Sequence, residues 1–404
     1  MTKAILPPED LALSDILPSE PLLLMGAGPV PIPQMVANAN GVVINHLGST
    51  MNQVIDRVIL MAQYAFQTRS DKIFGISGPS TAAMEMGITN LLWPGRKALV
   101  LELGIFSARF RELAEGVGAD VISLKSDGLT PTSVEQVREV LEREGDIDLL
   151  TIVQGETSCG IRNIWLQEIA AVANQFGVLV VVDAVCTLTT IPLEMDDWGV
   201  DCVVTGGQKG LSSIPGVSLI AFSERAWEVV ESRKTRCPHW CLDARRALNF
   251  WSLKRYHYTA PVPGILAMHE ALRLICQETL AVRFKRHHES SRALQAGLEA
   301  MGLKLYVPHE YRLNSVIAIE VPTTVDIPKM LQHMISHFHV EISAAFGLSI
   351  VRIGQMGEQC RHHNLHKVLY ATGMSFLGNG VSVDVANGMS RLEERLAFSR
   401  MGKR

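Results

Sequence analysis

The chain lacks any apolar run long enough to cross a membrane. Every hydrophobic stretch in its 404 residues is broken short of the ~20 consecutive apolar residues that a spanning helix needs. It also lacks an excess of positive charge. Lys and Arg total 37 against 41 Asp and Glu, a net charge of −4, which offers no field to draw nucleic acid or anionic lipid. Cysteine is sparse and scattered, seven in all, so reduced thiols are expected rather than a disulfide framework. Cys237-Pro238-His239-Trp240-Cys241 gathers metal-binding residue types but has no second ligand pair at zinc spacing, so no metal is expected there. The histidines at 287/288, 333/337/339 and 362/363/366 lie among charged residues and read as solvated helix faces. Internal repeats and low-complexity tracts are missing. The opening stretch MTKAILPPEDLALSDILPSE mixes acids with prolines, unlike a signal peptide. The final residues, RMGKR, are not a Ser-Lys-Leu-type peroxisomal address. These absences leave a cytoplasmic globular chain, 47% hydrophobic and 19% charged, long enough for two domains.

What is present is an alternation. From about residue 70 to 225, Val/Ile/Leu-rich runs alternate with helical patterns. The runs are KALVLEL (97–103), DVISLKS, DLLTIVQ (148–154), VLVVVDAV (178–185), CVVTGG and VSLIAFS. Continuous apolar runs separated by helices predict a mostly parallel sheet covered on both faces, hence an α/β fold. A long helical stretch at about 264–302 leads into a second, α+β pattern. Its expected strands are LKLYV, NSVIAIEV, HVEIS and LSIVRIG, with helices near 326–338 and 363–378 and a terminal helix in 380–404. The predicted organisation is an N-terminal arm (1–20), a large domain (21–265), and a linking helix with a small C-terminal domain (266–404).

Ligands in such sheets sit beyond the carboxyl ends of the strands. VLVVVDAV carries Asp183 to that edge, and CVVTGGQK carries Lys209 there one strand later. A carboxylate after an all-apolar run needs a partner. Gly78-Pro79-Ser80-Thr81 opens a helix, where free N–H groups and hydroxyls form a ready anion seat. Phe106 follows another strand. Singly, these are a helix cap, an ion pair and a core aromatic. Together they supply what pyridoxal phosphate needs: an anion seat, a stacking face, an acid for the pyridine nitrogen and a lysine for the Schiff base. Arg352 lies inside the apolar strand LSIVRIG with no acid in that strand, so its planar fork must meet an anion elsewhere.

The chain resembles the class V pyridoxal-phosphate aminotransferases, in the alanine–glyoxylate, serine–glyoxylate and purine-catabolism (ureidoglycine–glyoxylate) branch. The segments that carry the resemblance span nearly the whole sequence. They include LLLMGAGPVPIP (22–33), YAFQTRSDKIFGISGPSTAAME (64–85), GIFSARF (104–110), VQGETSCG (153–160), VVVDAVCTL (180–188), TGGQKGLSSIPGVSLIAFSERA (205–226), YHYTAPVPG (256–264) and IVRIGQMGE (350–358). The resemblance implies a fold-type I transferase with a seven-stranded sheet in the large domain. It makes Lys209 the Schiff-base lysine and proton shuttle, and Asp183 the partner of the pyridine nitrogen. Phe106 would stack on the ring, Val185 would pack beneath it, and Ser158 would bond near the ring oxygen. Ser80, Thr81 and Gln208 would hold the phosphate. Tyr256 and Thr259 would reach the phosphate of a second subunit, which requires a homodimer. Arg352 would clamp the substrate α-carboxylate, and Gly26 would lie in the segment that closes over substrate. The implied activity moves an amino group from alanine, serine or ureidoglycine to a 2-oxo acid such as glyoxylate or pyruvate, ping-pong through pyridoxamine phosphate.

Departures from the family pattern leave the donor open. Gly78-Pro79-Ser80 stands where Gly-Thr-Gly or Gly-Ser-Gly is common, and Gly210-Leu211-Ser212 follows the lysine where Cys-Leu-Gly is common. Gln154 and Met51-Asn52-Gln53 are similar to the ureidoglycine–glyoxylate enzymes, but that branch's Ser-Asn-Tyr segment is absent. Pyridoxamine–pyruvate transaminase is an alternative, against which Gln208 counts. A pyridoxal-phosphate lyase or cysteine desulfurase is another. A desulfurase needs a mobile nucleophilic cysteine, and neither Cys159 nor Cys360 lies in a Gly/Ser-rich loop. A cofactor-binding regulator would need a DNA-binding module, and none is present.

Overall fold

A computed structural model describes residues 5–401. The first four residues of the expected arm, and the last three of RMGKR, lie outside the described residues. The centre is a seven-stranded sheet. Its strands, in chain order, are β1 (Ile73–Ser77), β2 (Lys97–Glu102), β3 (Asp120–Lys125), β4 (Leu149–Val153), β5 (Leu179–Asp183), β6 (Cys202–Gly206) and β7 (Val217–Phe222). Across the sheet they run β1-β7-β6-β5-β4-β2-β3, and only β7 is antiparallel to its neighbours. The strands β4 to β7 are buried along their whole length, which is why they read as unbroken Val/Ile/Leu runs.

Helices cover the sheet: α1 (Ser49–Phe66), α2 (Ser80–Leu91), α3 (Ile105–Gly116), α4 (Val134–Glu144) and α5 (Leu166–Gln175). In α4, Ser133 accepts from the Gln136 N–H while the Gln136 side chain accepts from the Ser133 N–H, and Gly145 ends the helix in the left-handed region. Such reciprocal capping is a sequence-level start signal.

The expected single helix at 264–302 is two, α6 (Val262–Glu278) and α7 (Leu280–Ala300), parted at Thr279 with φ +68°. No Gly or Pro marks the break. It is held by tertiary bonds: the Tyr64 hydroxyl accepts from the Leu280 N–H at 2.8 Å, and Glu278 pairs with both Arg283 and Arg286.

The remaining chain packs a second hydrophobic cluster around a three-stranded sheet, with β8 (Val316–Glu320), β9 (Ser343–Ala344) and β10 (Ile350–Gly354). Helices α8 (Ile327–Phe338), α9 (His362–Gly378) and α10 (Val385–Met401) cover it. Met25 belongs to this cluster, and the short strand Leu23–Leu24 pairs in parallel with Val340–Glu341. LKLYV forms no strand and contributes one isolated bridge, Leu305 to Ile319. HVEIS breaks into two two-residue strands that join different sheets. No helix among the described residues is long and apolar enough to cross a membrane.

One histidine expectation is corrected. His287 is fully buried rather than solvated, with Nδ1 2.7 Å from the Arg283 carbonyl and Nε2 accepting from the Gly357 N–H at 3.0 Å. Burial first, then Arg283 and Arg286, hold its pKa well below the ordinary value, so it is a neutral connector.

Candidate active site at the strand exits

A cavity of about 410 Å3 lies at the carboxyl edge of the large sheet, and each wall comes from a different strand exit. The start of α2 supplies Ser80 and Thr81, the start of α3 supplies Phe106, β5 and the turn after it deliver Asp183 and Val185, and the turn after β6 delivers Gln208 and Lys209. Seven of the residues expected at the site are thus brought together by the topology.

Asp183 is 5% exposed, and its Oδ1 accepts from the Val185 N–H at 2.7 Å. Burial raises its carboxyl pKa to about 7, with Glu156 adding to the rise, against the Val185 N–H and the positive charges of Lys209 and Arg109. Burial likewise lowers the Lys209 ammonium, aided by Arg352 and opposed by Cys186 and Asp183. Lys209 Nζ donates to the Ala27 carbonyl. Gly28 has φ +106°, and a Cβ there would stand 2.6 Å from Lys209 Cδ, so only glycine lets the 26–29 segment pass over the lysine.

The anion seat is also built. No side chain caps the start of α2, so its first N–H groups stay open. Gln208 Nε2 donates to Ser80 Oγ at 3.0 Å, while Gln208 Oε1 is buried without a partner. A Cβ on Gly206 would fall 1.9 Å from Ser80 Oγ, so glycine makes room for that hydroxyl. Arg109 donates to Thr81 Oγ1 at 2.9 Å, with its guanidinium carbon 5.1 Å from the centre of the Phe106 ring. An open helix start, hydroxyls, an aromatic face, a buried acid and a desolvated amine fit a phosphate-bearing aromatic aldehyde.

The other expected residues fall outside the walls. Ser158 turns toward the start of α3, where its Oγ donates to Glu156 and accepts from the Ile105 N–H. Arg352 is buried behind Thr157, donating Nη1 to the Thr157 carbonyl at 2.7 Å and Nη2 to the Ala344 carbonyl. Its Nε is buried with no partner. Gly26 lies against Ser343, whose Oγ would be 2.3 Å from a Cβ at that position. Tyr256 is 60% exposed and Thr259 is exposed, so neither joins this cavity within one chain.

Two contributors carried no role in the sequence reading. Arg109 sits one turn after Phe106 in the same helix, an i, i+3 signal that its charge alone did not reveal. Glu156, fully buried, accepts from the N–H groups of Phe106, Ser107 and Ser158 at 3.3, 2.9 and 3.2 Å. It caps α3 from a distant strand, which no local pattern announces.

The family model for aminotransferase class-V matches residues 34–370. An alanine–glyoxylate aminotransferase of Oryctolagus cuniculus is 33% identical, covering 91% of this chain and 95% of that protein. The crystal structure of ureidoglycine–glyoxylate aminotransferase from Bacillus subtilis superimposes with a TM-score of 0.91 at 26% identity, covering 94% of this chain and 99% of that one. That of an alanine–glyoxylate aminotransferase from Nostoc sp. gives 0.87 at 32% identity, covering 91% and 98%. The chain belongs to the class-V aminotransferases, the fold-type I enzymes that use pyridoxal 5'-phosphate, and it is a transaminase.

Proposed function

We propose that this transaminase moves the amino group of a small amino acid, of the alanine, serine or ureidoglycine type, to glyoxylate or pyruvate. The observation that carries the reading is the convergence of Lys209, Asp183, Phe106 and the open start of α2 on one cavity. When bound, the cofactor supplies a conjugated ring that accepts the electron pair released at the substrate α-carbon. The chain supplies the rest. Asp183 holds a proton at the ring nitrogen, and the donor N–H of Val185 keeps that carboxylate in place. Phe106, pinned under Arg109, orients the ring. Lys209, whose ammonium pKa burial lowers, takes and returns the α-proton. Arg352, behind the wall with Nε unpaired, would turn its fork from the Thr157 and Ala344 carbonyls to meet the substrate carboxylate.

Tyr256 and Thr259 are proposed to complete the site of a second copy, making the enzyme a homodimer, and the chain is proposed to be cytoplasmic. The proposed organisation is an arm (1–20), a large domain (21–265), and a linking helix with a small domain (266–404). Packing of α6 against the large-sheet core supports a linking role for that helix. A desulfurase reading finds no support in the thiols. Burial pushes Cys159 up to about 12 and also raises Cys360, which is fully buried.

Half-reaction spectra test the substrate class. Purified holoenzyme is mixed with alanine, serine, glycine, aspartate, ureidoglycine or pyridoxamine. Loss of the cofactor's visible band with alanine, serine or ureidoglycine, recovered by glyoxylate or pyruvate, is the expected result. Loss with pyridoxamine or aspartate alone would overturn it.

A further inference from the structure

A second cavity, of about 400 Å3, opens between residues 190–192, helix α7 and the 309–314 loop, and it shares no residue with the cavity that holds Lys209. Its size falls in the ~300–1,000 Å3 range of small-molecule sites. Six of its lining side chains are basic or imidazole: Arg162, Lys285, His288, Arg292, His309 and Arg312. No Asp or Glu lines it.

The charge is only partly balanced from outside. Arg312 meets Glu299 at 2.7 Å, and Lys285 meets Glu289 at 3.6 Å. Among the described residues, Arg162 and Arg292 make no ion pair. Arg162 Nε is buried and has no hydrogen-bond partner. Burial lowers the pKa of that guanidinium, and no acid offsets the effect.

The placement is built by the fold. Ile161 bridges Arg312, which sets Arg162 beside the 309–314 loop, and the Leu313 N–H donates to the Gly160 carbonyl at 2.9 Å. Lys285, His288 and Arg292 recur at three- and four-residue steps and so share one face of α7. Burial and Arg292 lower the His288 pKa, so the permanent charges facing the cavity are Arg162, Lys285, Arg292 and Arg312, and an anion among them offsets their mutual repulsion.

We propose that this cavity binds a small anion carrying two or more negative charges, held chiefly by Arg162 and Arg292, with Lys285 and Arg312 closing around it. Phosphate compounds and polycarboxylates share that chemistry. The bound anion ties α7 and the 309–314 loop to the 155–162 hairpin, whose facing strand carries Glu156 opposite Ile161. The site is independent of the substrate assignment above, because none of its lining residues lines the Lys209 cavity.

The test uses holoenzyme in chloride-only buffer, so that the cofactor already fills its own phosphate seat. It is titrated calorimetrically with pyrophosphate and, separately, with citrate, and melting is followed with each. Saturable binding of one anion per chain is expected, with a rise in Tm on the order of 2–4 °C at saturation. The tighter of the two ligands identifies the source class. The double variant Lys285→Ala/Arg292→Ala changes surface positions only. It should keep basal transaminase activity and weaken binding by about tenfold or more. Arg162→Gln should weaken it further. Absence of saturable binding by both anions, or binding unchanged in the double variant, overturns the proposal.

Discussion

Burial pushes Asp183 and Lys209 toward neutrality from opposite sides. The carboxyl rises to about 7 and the ammonium falls, so a cofactor-free chain holds an acid that resists ionising. The sign follows from linkage. Asp183 moves from 3.8 unfolded to about 7 folded, so the native chain binds more protons between those values and stability falls as pH rises through that window. The loss is at most about 4 kcal/mol. Asp183→Asn should flatten this fall. The cofactor-free variant should then outlast the wild type above pH 7 in urea titrations while its holoenzyme turns over far more slowly. Lys209→Ala should cost at least ~10²–10⁴-fold in turnover and leave cofactor that ultrafiltration removes. Turnover within tenfold of wild type would contradict the role proposed for it. Both residues were legible in the sequence, because each follows an apolar run, where a charge must find a partner, and together with the anion seat and Phe106 they form one set. Arg109 was not, because its significance lies in the contacts to Thr81 and the Phe106 ring.

At the scale of elements, a buried acid and a half-buried one hold helices that local propensity leaves loose. Glu156 caps α3 through the Phe106 and Ser107 N–H groups. Glu156→Gln should lower unfolding free energy by about 1–2 kcal/mol and weaken cofactor retention, since Phe106 sits in that first turn. Chemical denaturation and cofactor release rates read the two effects separately. Glu278 stands at the break between α6 and α7. Burial raises its pKa, but Arg286 and Arg283 outweigh burial and bring it to about 2. A depressed carboxyl stabilises fully above its unfolded value of 4.5, and the contribution is lost as pH falls toward 2. Glu278→Gln should therefore remove part of the acid limb of the stability profile, measured by thermal melts between pH 2 and 5. The same acid explains why 264–302 is not one helix. Its period is helical throughout, and the break also depends on the Tyr64 hydroxyl, a partner 216 residues away that no window of sequence contains.

At the scale of the molecule, a single chain leaves Tyr256, Leu253 and Val43 exposed at 60%, 50% and 78%. Large apolar groups left open this way are expected where a second copy packs. Sedimentation should give a species of twice 44.4 kDa, with Tm rising with protein concentration. Tyr256→Ala should reduce cofactor affinity without moving the monomer's far-UV spectrum. A monomer with full activity would end the homodimer reading.

The sequence by itself determined the parallel sheet, because strands buried on both faces must be apolar throughout, and it determined the acid and amine at its exits, because charge there stands out against that background. It also carried the family, through short segments spread from Leu22 to Glu358. Only the tertiary structure decided which residues share a cavity. It placed Arg352 behind Thr157 rather than in the wall, turned Ser158 to the start of α3, and left Tyr256 and Thr259 outside. It buried His287, which the sequence reads as solvent-facing, among arginines. The reason is common to all of these. Alternation and run length report how much of an element is buried, whereas the partner of a buried polar group is chosen by packing between segments far apart in the chain.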